Sequence, residues 1–74
     1  MPIINMHLIS GRTAEQKRRV MSAVAHAAAG ALNVGLDTVR VLITEHSADE
    51  FSVAGVSVAE RSERNEPPQR SSGG

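Results

Sequence analysis

The chain has no cysteine, no tryptophan, no tyrosine and a single phenylalanine among its 74 residues. The lack of cysteine excludes disulfide bonds and thiolate metal ligands. Without aromatic side chains the core must be built from aliphatic ones, and a chain of this length buries only about 60% of the surface it exposes when unfolded. Small chains that lack disulfide bonds, bound metals and large core side chains often gain stability by forming oligomers. We therefore expect one domain that forms a homo-oligomer.

The chain also lacks an excess of charge and a long apolar run. Lys and Arg total 8, as do Asp and Glu, so the formal net charge is zero. A neutral domain without stacking aromatics is a poor nucleic-acid binder. No run approaches the roughly 20 apolar residues of a membrane span, and the start has no signal-peptide pattern. We expect a cytoplasmic protein that binds neither nucleic acid nor membrane.

The first half of the chain predicts a strand followed by a helix. Residues 3–9 favour β-structure and are apolar on both faces except at Asn5 and His7. Thr13 begins a capping box, and apolar residues then recur at helical spacing, so we expect a helix from about Ala14 to Leu32. The expected apolar stripe of this helix consists of Val20, Met21, Val24, Ala25, Ala27, Ala28, Ala31 and Leu32.

The second half predicts another strand and a short arm. Val39–Glu45 alternates as a strand does, and two strands joined by one helix should lie parallel through a right-handed crossover. Phe51–Val58 is β-rich around Gly55 and is expected to form a small hairpin or an arm onto a neighbouring subunit. We expect residues 1–59 to be the domain and residues 60–74, which contain no apolar side chain, to be a disordered tail.

The start of the chain, Met1-Pro2, suggests a catalytic base. Methionine before a small residue is usually removed, and its removal would leave the Pro2 nitrogen as a secondary amine. An α-amino group ordinarily titrates at about 7.7–8.0, and apolar burial or nearby cations lower the pKa of an amine. Pro2 is therefore a candidate general base near neutral pH, provided that Met1 is removed.

Pro2, Arg12, Arg40 and Phe51 form a combined signal through their spacing along the chain. Around them lie Pro2-Ile3, His7, Gly11-Arg12, Glu15-Gln16-Lys17, Val39-Arg40-Val41 and Ile43-Thr44-Glu45. In these residues the sequence resembles the 4-oxalocrotonate tautomerase family, from residue 2 to about residue 60. The resemblance implies an α/β (α+β) fold of β-α-β subunits with parallel strands and a short C-terminal β arm or hairpin, assembled into dimers and a hexamer.

The resemblance also implies an isomerase and a role for each site residue. Pro2 would take a proton from the 2-hydroxyl of a dienol such as 2-hydroxymuconate and return a proton to carbon. Arg40 would bind the carboxylate beside that oxygen, Arg12 would bind the distal carboxylate, and Phe51 and Ile9 would form apolar walls. The site would draw on several subunits, needs no metal or organic cofactor, and belongs naturally to the degradation of aromatic compounds.

Two other functions remain open from the sequence. Superfamily relatives hydrate or dehalogenate unsaturated acids or decarboxylate 3-oxo acids, which usually needs a polar group that activates water. Glu45, Asp49 or Glu50 in the site would favour that chemistry. Alternatively, the chain is a non-catalytic oligomeric scaffold, and a retained Met1 would favour this hypothesis.

The three histidines carry no predicted chemistry. His7, in an apolar strand, is expected to be a hydrogen-bonded structural residue. His26 and His46 are expected at the surface. No spacing among the histidines and the carboxylates predicts a metal site.

Overall fold

The structure of the protein is a computed structural model that describes residues 1–63. Its elements are β1 (Ile3–Ile9), α1 (Ala14–Leu32), β2 (Arg40–His46), β3 (Ser52–Val53), β4 (Val56–Ser57) and α2 (Val58–Glu63), with short 3-10 turns at Leu36–Thr38 and Ala48–Glu50. Strands β1 and β2 pair in parallel, from Ile3 opposite Arg40 to Ile9 opposite His46. The predicted β-α-β fold with parallel strands and a small C-terminal hairpin is confirmed.

Helix α1 begins and ends at the predicted residues because local signals fix both ends. The Thr13 hydroxyl oxygen accepts from the Gln16 backbone N–H at 3.1 Å, and the Gln16 side-chain oxygen accepts from the Thr13 backbone N–H at 2.9 Å. This reciprocal capping box satisfies donors that the first turn leaves unpaired. At the other end Asn33 adopts the left-handed conformation, with φ 57° and ψ 50°, which ends the helix.

Helix α1 covers one face of the β1–β2 sheet. Lys17 of α1 places its Nζ 2.6 Å from an oxygen of Glu45, which identifies the covered face as the one that carries Glu45. The other face is named here the open face. It consists of Ile3, Asn5, His7, Ile9, Arg40, Leu42, Thr44 and His46.

The apolar stripe of α1 is narrower than predicted. Half-buried positions recur at helical spacing and consist of Lys17, Val20, Met21, Val24, Ala25, Ala28 and Ala29. Ala27, Ala31 and Leu32, which were expected in the stripe, are exposed. The reason is the size of the sheet, because two strands cannot cover a wide helix face. The 19-residue helix, about 28 Å long, also outruns the sheet.

No residue among 1–63 is buried in the isolated chain. On the open face, Ile3 is 66% exposed and Leu42 is 49% exposed. Secondary structure elements become stable by burying an apolar face against another layer, and the open face has no such layer within the described chain. This finding supports the predicted association. Within residues 1–63, no helix is long and apolar enough to cross a membrane.

A tight hairpin and a short helix follow the β-α-β unit. Ala54 and Gly55 connect β3 to β4 with φ values of 56° and 83°, as two-residue hairpin turns require. Helix α2 extends to Glu63, so the predicted boundary at residue 59 falls inside a helix. Residues 60–63 are helical rather than part of a disordered tail, because Ser57 caps the start of the helix: its hydroxyl oxygen accepts from the Glu60 N–H, and the Glu60 carboxylate accepts from the Ser57 N–H. The rest of the predicted tail, residues 64–74, lies outside the described residues.

Candidate active site

The amino end of the sheet holds Pro2 and Arg40. The Arg40 backbone N–H donates to the Pro2 carbonyl oxygen at 2.9 Å, so residue 2 lies beside the first residue of β2. The Arg40 guanidinium donates through Nη1 to the Asp37 carbonyl oxygen at 2.8 Å. Pro2 is half-buried and Arg40 is exposed. Strand pairing thus brings the predicted base and one predicted cation together.

The carboxyl end of the sheet holds Ile9, Arg12 and Phe51. Gly11, with φ 125°, makes the turn that leads from β1 to Arg12, in a conformation that favours glycine. The Arg12 Nη1 atom lies 3.5 Å from the Ile9 carbonyl oxygen. Phe51 is half-buried and meets the His46 ring edge-on, and His46 lies opposite Ile9 in the sheet. Arg12 and both predicted apolar walls, Ile9 and Phe51, therefore lie at the carboxyl end of the sheet.

The two sets of residues do not meet within one chain. Strand β1 has seven residues and spans about 20 Å, so Pro2 and Arg12 lie at opposite ends of it. Each chain thus carries the predicted site residues as two separate groups, one with Pro2 and Arg40 and one with Ile9, Arg12 and Phe51. This arrangement is the one that a site shared between subunits requires.

The carboxylates that would favour hydration chemistry lie elsewhere or are exposed. Glu45 is ion-paired with Lys17 on the helix-covered face, whereas the predicted site residue Arg40 belongs to the open face. Asp49 and Glu50 are exposed in the 3-10 turn before Phe51. No group of three or more His, Asp or Glu side chains within residues 1–63 could hold a metal ion.

His46 is less exposed than the sequence predicts. His46 is half-buried and is the last residue of β2, and its Nε2 lies 2.8 Å from Nδ1 of His7. The strand continues past Glu45 because the His46 carbonyl accepts from the Ser10 N–H at 2.8 Å. The prediction that His7 is hydrogen-bonded is confirmed. His26 is exposed as predicted, with Nδ1 2.8 Å from the Ser22 carbonyl oxygen.

Known proteins are similar to this chain in sequence and in fold. A family model described as tautomerase enzyme matches residues 2–61. A 2-hydroxymuconate tautomerase of Pseudomonas sp. (strain CF600) is 44% identical over 55 residues, which cover 74% of this chain and 87% of the relative. The matched span of the family model starts at Pro2 and contains every predicted site residue.

Two solved structures extend the comparison to the fold. One, from work on the 4-oxalocrotonate tautomerase isozymes of Methylibium petroleiphilum, has a TM-score of 0.83 and 46% identity, covering 85% of this chain and 98% of its own. The other, a heterohexamer 4-oxalocrotonate tautomerase from Chloroflexus aurantiacus, has a TM-score of 0.79 and 37% identity, covering 81% and 97%. The chain therefore belongs to the 4-oxalocrotonate tautomerase family and is an isomerase.

Proposed function

We propose that this protein is a cofactor-independent enol–keto tautomerase of small unsaturated 2-hydroxy acids of the 2-hydroxymuconate type. The observation that carries the proposal is the division of the site between the ends of one sheet. Pro2 lies beside Arg40 at the amino end, and Arg12 lies with Phe51 at the carboxyl end. A planar substrate with a carboxylate at each end needs one base and two cations, and the two ends together supply them.

The complete site forms between subunits of a homohexamer built from dimers. A two-fold axis that runs the sheets of two chains antiparallel brings the amino end of one chain beside the carboxyl end of its partner. The exposed apolar side chains of the open face, such as Ile3 and Leu42, supply surface for packing further copies. The similarity to a heterohexamer tautomerase supports six subunits.

Pro2 acts as the base after removal of Met1. Met1 is 69% exposed and therefore accessible to a processing enzyme. The freed Pro2 nitrogen takes the proton of the 2-hydroxyl group, and the electron pair moves along the conjugated system. The conjugated ketone keeps a double bond between C3 and C4, so the prolinium returns a proton to C5. Pro2 ends each cycle unprotonated and ready for another.

The arginines bind the substrate and follow its charge. Arg40 binds the carboxylate next to the 2-oxygen and stabilises the negative charge that develops on that oxygen. Arg12 binds the distal carboxylate. Guanidinium groups suit both roles because they stay charged and pair with carboxylates through two parallel hydrogen bonds. Phe51 and Ile9 exclude water, which strengthens these interactions.

The decay of 2-hydroxymuconate absorbance tests the proposal. The protein is used after intact mass has verified that Met1 is absent, and rapid ketonisation is expected. The matched control is the same chain with a non-removable N-terminal extension, in which the Pro2 nitrogen is an amide. This control should show no catalysis. Inactivity of the processed protein, or equal activity of the extended one, contradicts the proposal.

A further inference from the structure

His46 lies against both predicted walls of the pocket. It is opposite Ile9 in the parallel register, and its backbone carbonyl accepts from the Ser10 N–H just beyond Ile9. Its ring meets Phe51 at a centroid distance of 6.2 Å and an interplanar angle of 70°, an edge-to-face geometry that aromatic pairs prefer. The His46 ring is thus a side chain of the sheet that packs against the Phe51 ring.

His7 also contacts the His46 ring. The two ring centroids lie 5.0 Å apart with the planes inclined by 24°, and His7 Nδ1 lies 2.8 Å from His46 Nε2, so the rings meet nitrogen to nitrogen. Such a bond needs one imidazole to donate its N–H and the other to accept it, which fixes the orientation of both rings. The neighbouring polar pair is satisfied separately, because the Thr44 hydroxyl donates to the Asn5 side-chain oxygen at 3.0 Å.

Phe51 depends on this support because of its place in the chain. It follows a 3-10 turn and precedes a strand of two residues, so no long regular element holds it. Its carbonyl accepts from the Val58 N–H at 2.8 Å, which fixes the backbone but does not by itself set the position of the ring. Within residues 1–63, the ring packing recorded for Phe51 is with His46.

We propose that His46 is a positioning residue that sets the location of the Phe51 ring, and that His7 sets the orientation of His46. The inference rests on the proposed function only where Phe51 serves as a substrate wall. Neither histidine carries a proton of the reaction. Loss of the support should therefore weaken substrate binding and leave the proton-transfer step nearly unchanged.

The composition of the chain allows a direct test that needs no substrate. Phe51 is the sole phenylalanine, so incorporation of 4-fluorophenylalanine gives a protein with a single fluorine resonance. His46→Ala and His7→Ala should shift or broaden that resonance, although His7 acts on Phe51 only through His46. His7→Asn, whose amide can donate or accept in place of Nδ1, should restore the wild-type signal.

A second variant keeps this test valid if the alanine variants fail to fold. His46→Gln retains an amide that reaches His7 but removes the ring, so the fluorine signal should move as in His46→Ala. His26→Ala is the matched control, since His26 bonds to Ser22 on α1, and it should leave the signal unchanged. An unchanged fluorine signal in folded His46→Gln overturns the inference, whatever the enzyme's substrate.

Steady-state kinetics then test the consequence for the site. His46→Ala should raise KM for 2-hydroxymuconate about threefold to tenfold, the equivalent of an aromatic pair, with kcat nearly constant. His46→Phe, which keeps a ring against Phe51, should stay close to the wild-type KM. A fall in kcat at constant KM would assign His46 to the chemistry and overturn the positioning role. Inactive wild-type protein would contradict the proposed function and leave the fluorine result standing.

Discussion

The two ends of the β1–β2 sheet hold their site residues by different means. At the amino end, Pro2 and Arg40 are fixed by the ladder of the sheet itself, through the backbone bond of 2.9 Å between them. At the carboxyl end, Arg12 follows a glycine turn and Phe51 precedes a hairpin. Turns and loops change more easily than paired strands. The comparison teaches that the proposed base lies beside the paired strands, whereas Arg12 and Phe51 lie on turns that adapt more easily.

Removal of the proposed base at the amino end should give the largest loss of activity. Pro2→Ala keeps a free N-terminal amine of a different type in a different geometry, and we expect a loss of about 10²- to 10⁴-fold in kcat. Size-exclusion chromatography should show an unchanged oligomer, since Pro2 contributes its carbonyl to the ladder and alanine retains that carbonyl. Activity within twofold of wild type would remove Pro2 from the chemistry.

Mixing two impaired variants tests whether the two ends belong to one site in different subunits. Pro2→Ala chains keep an intact carboxyl end, and Arg12→Ala chains keep an intact amino end. Equal mixtures refolded together should regain activity in about one quarter of the sites, because random assembly pairs two intact ends that often. Each variant refolded alone is the control. No recovery in mixed oligomers would mean that both ends must come from the same chain.

The two arginines should be separable by substrate. With a dicarboxylate, Arg12→Ala and Arg40→Ala should each lower kcat/KM by about 10- to 100-fold, as expected for a charge-assisted hydrogen bond. With a 2-hydroxydienoate that lacks the distal carboxylate, only Arg40→Ala should retain a large effect. Arg18→Ala, on an exposed position of α1, is the matched control. Equal losses on both substrates would contradict the assignment of Arg12 to the distal carboxylate.

Substitutions in the hairpin beside Phe51 should have the smallest effects, and these effects are on the free energy of unfolding. Gly55→Ala should lower the free energy of unfolding by about 1 kcal/mol, because φ 83° is unfavourable for a residue with a Cβ atom. No atom lies within 4 Å of that added Cβ, so the change isolates the backbone conformation.

Ala54→Asn is the complementary variant of the hairpin. Asparagine tolerates the left-handed φ of 56° better than alanine does, so it should raise the free energy of unfolding by up to about 1 kcal/mol. Denaturant unfolding at a fixed chain concentration measures both variants. Effects of the same sign at positions 54 and 55 would contradict the turn geometry.

Local signals made most of the fold predictable. Thr13 and Gln16 give the start of α1, Asn33 gives its end, and the single helix between two strands gives their parallel order. The inner face of α1 was predicted only in part, since the exposure of Ala27 and Leu32 depends on the width and length of the sheet. Those dimensions arise from strand pairing and are not encoded in the helix.

The positions of the candidate site residues were predictable where they follow from the order of elements along the chain. Pro2 precedes β1 and Arg12 follows it, so their separation is a consequence of a predicted strand. The pairing of His7 with His46 was not predictable, because it joins residues 39 positions apart. It requires the register that puts His7 beside Thr44 and brings β2 one residue past its predicted end. Side-chain contacts across a sheet are set by register, which the periodicity of a single strand does not reveal.

No side chain among residues 1–63 is buried in the single chain, so folding to the proposed active oligomer depends on chain concentration. A single chain buries none of these side chains fully, so in the proposed oligomer contact with another copy is the step that completes the core. Folding then has the kinetics of an encounter and accelerates with the number of chains present. If the proposed oligomer is the active form, the yield of active enzyme depends on the chain concentration and falls on dilution.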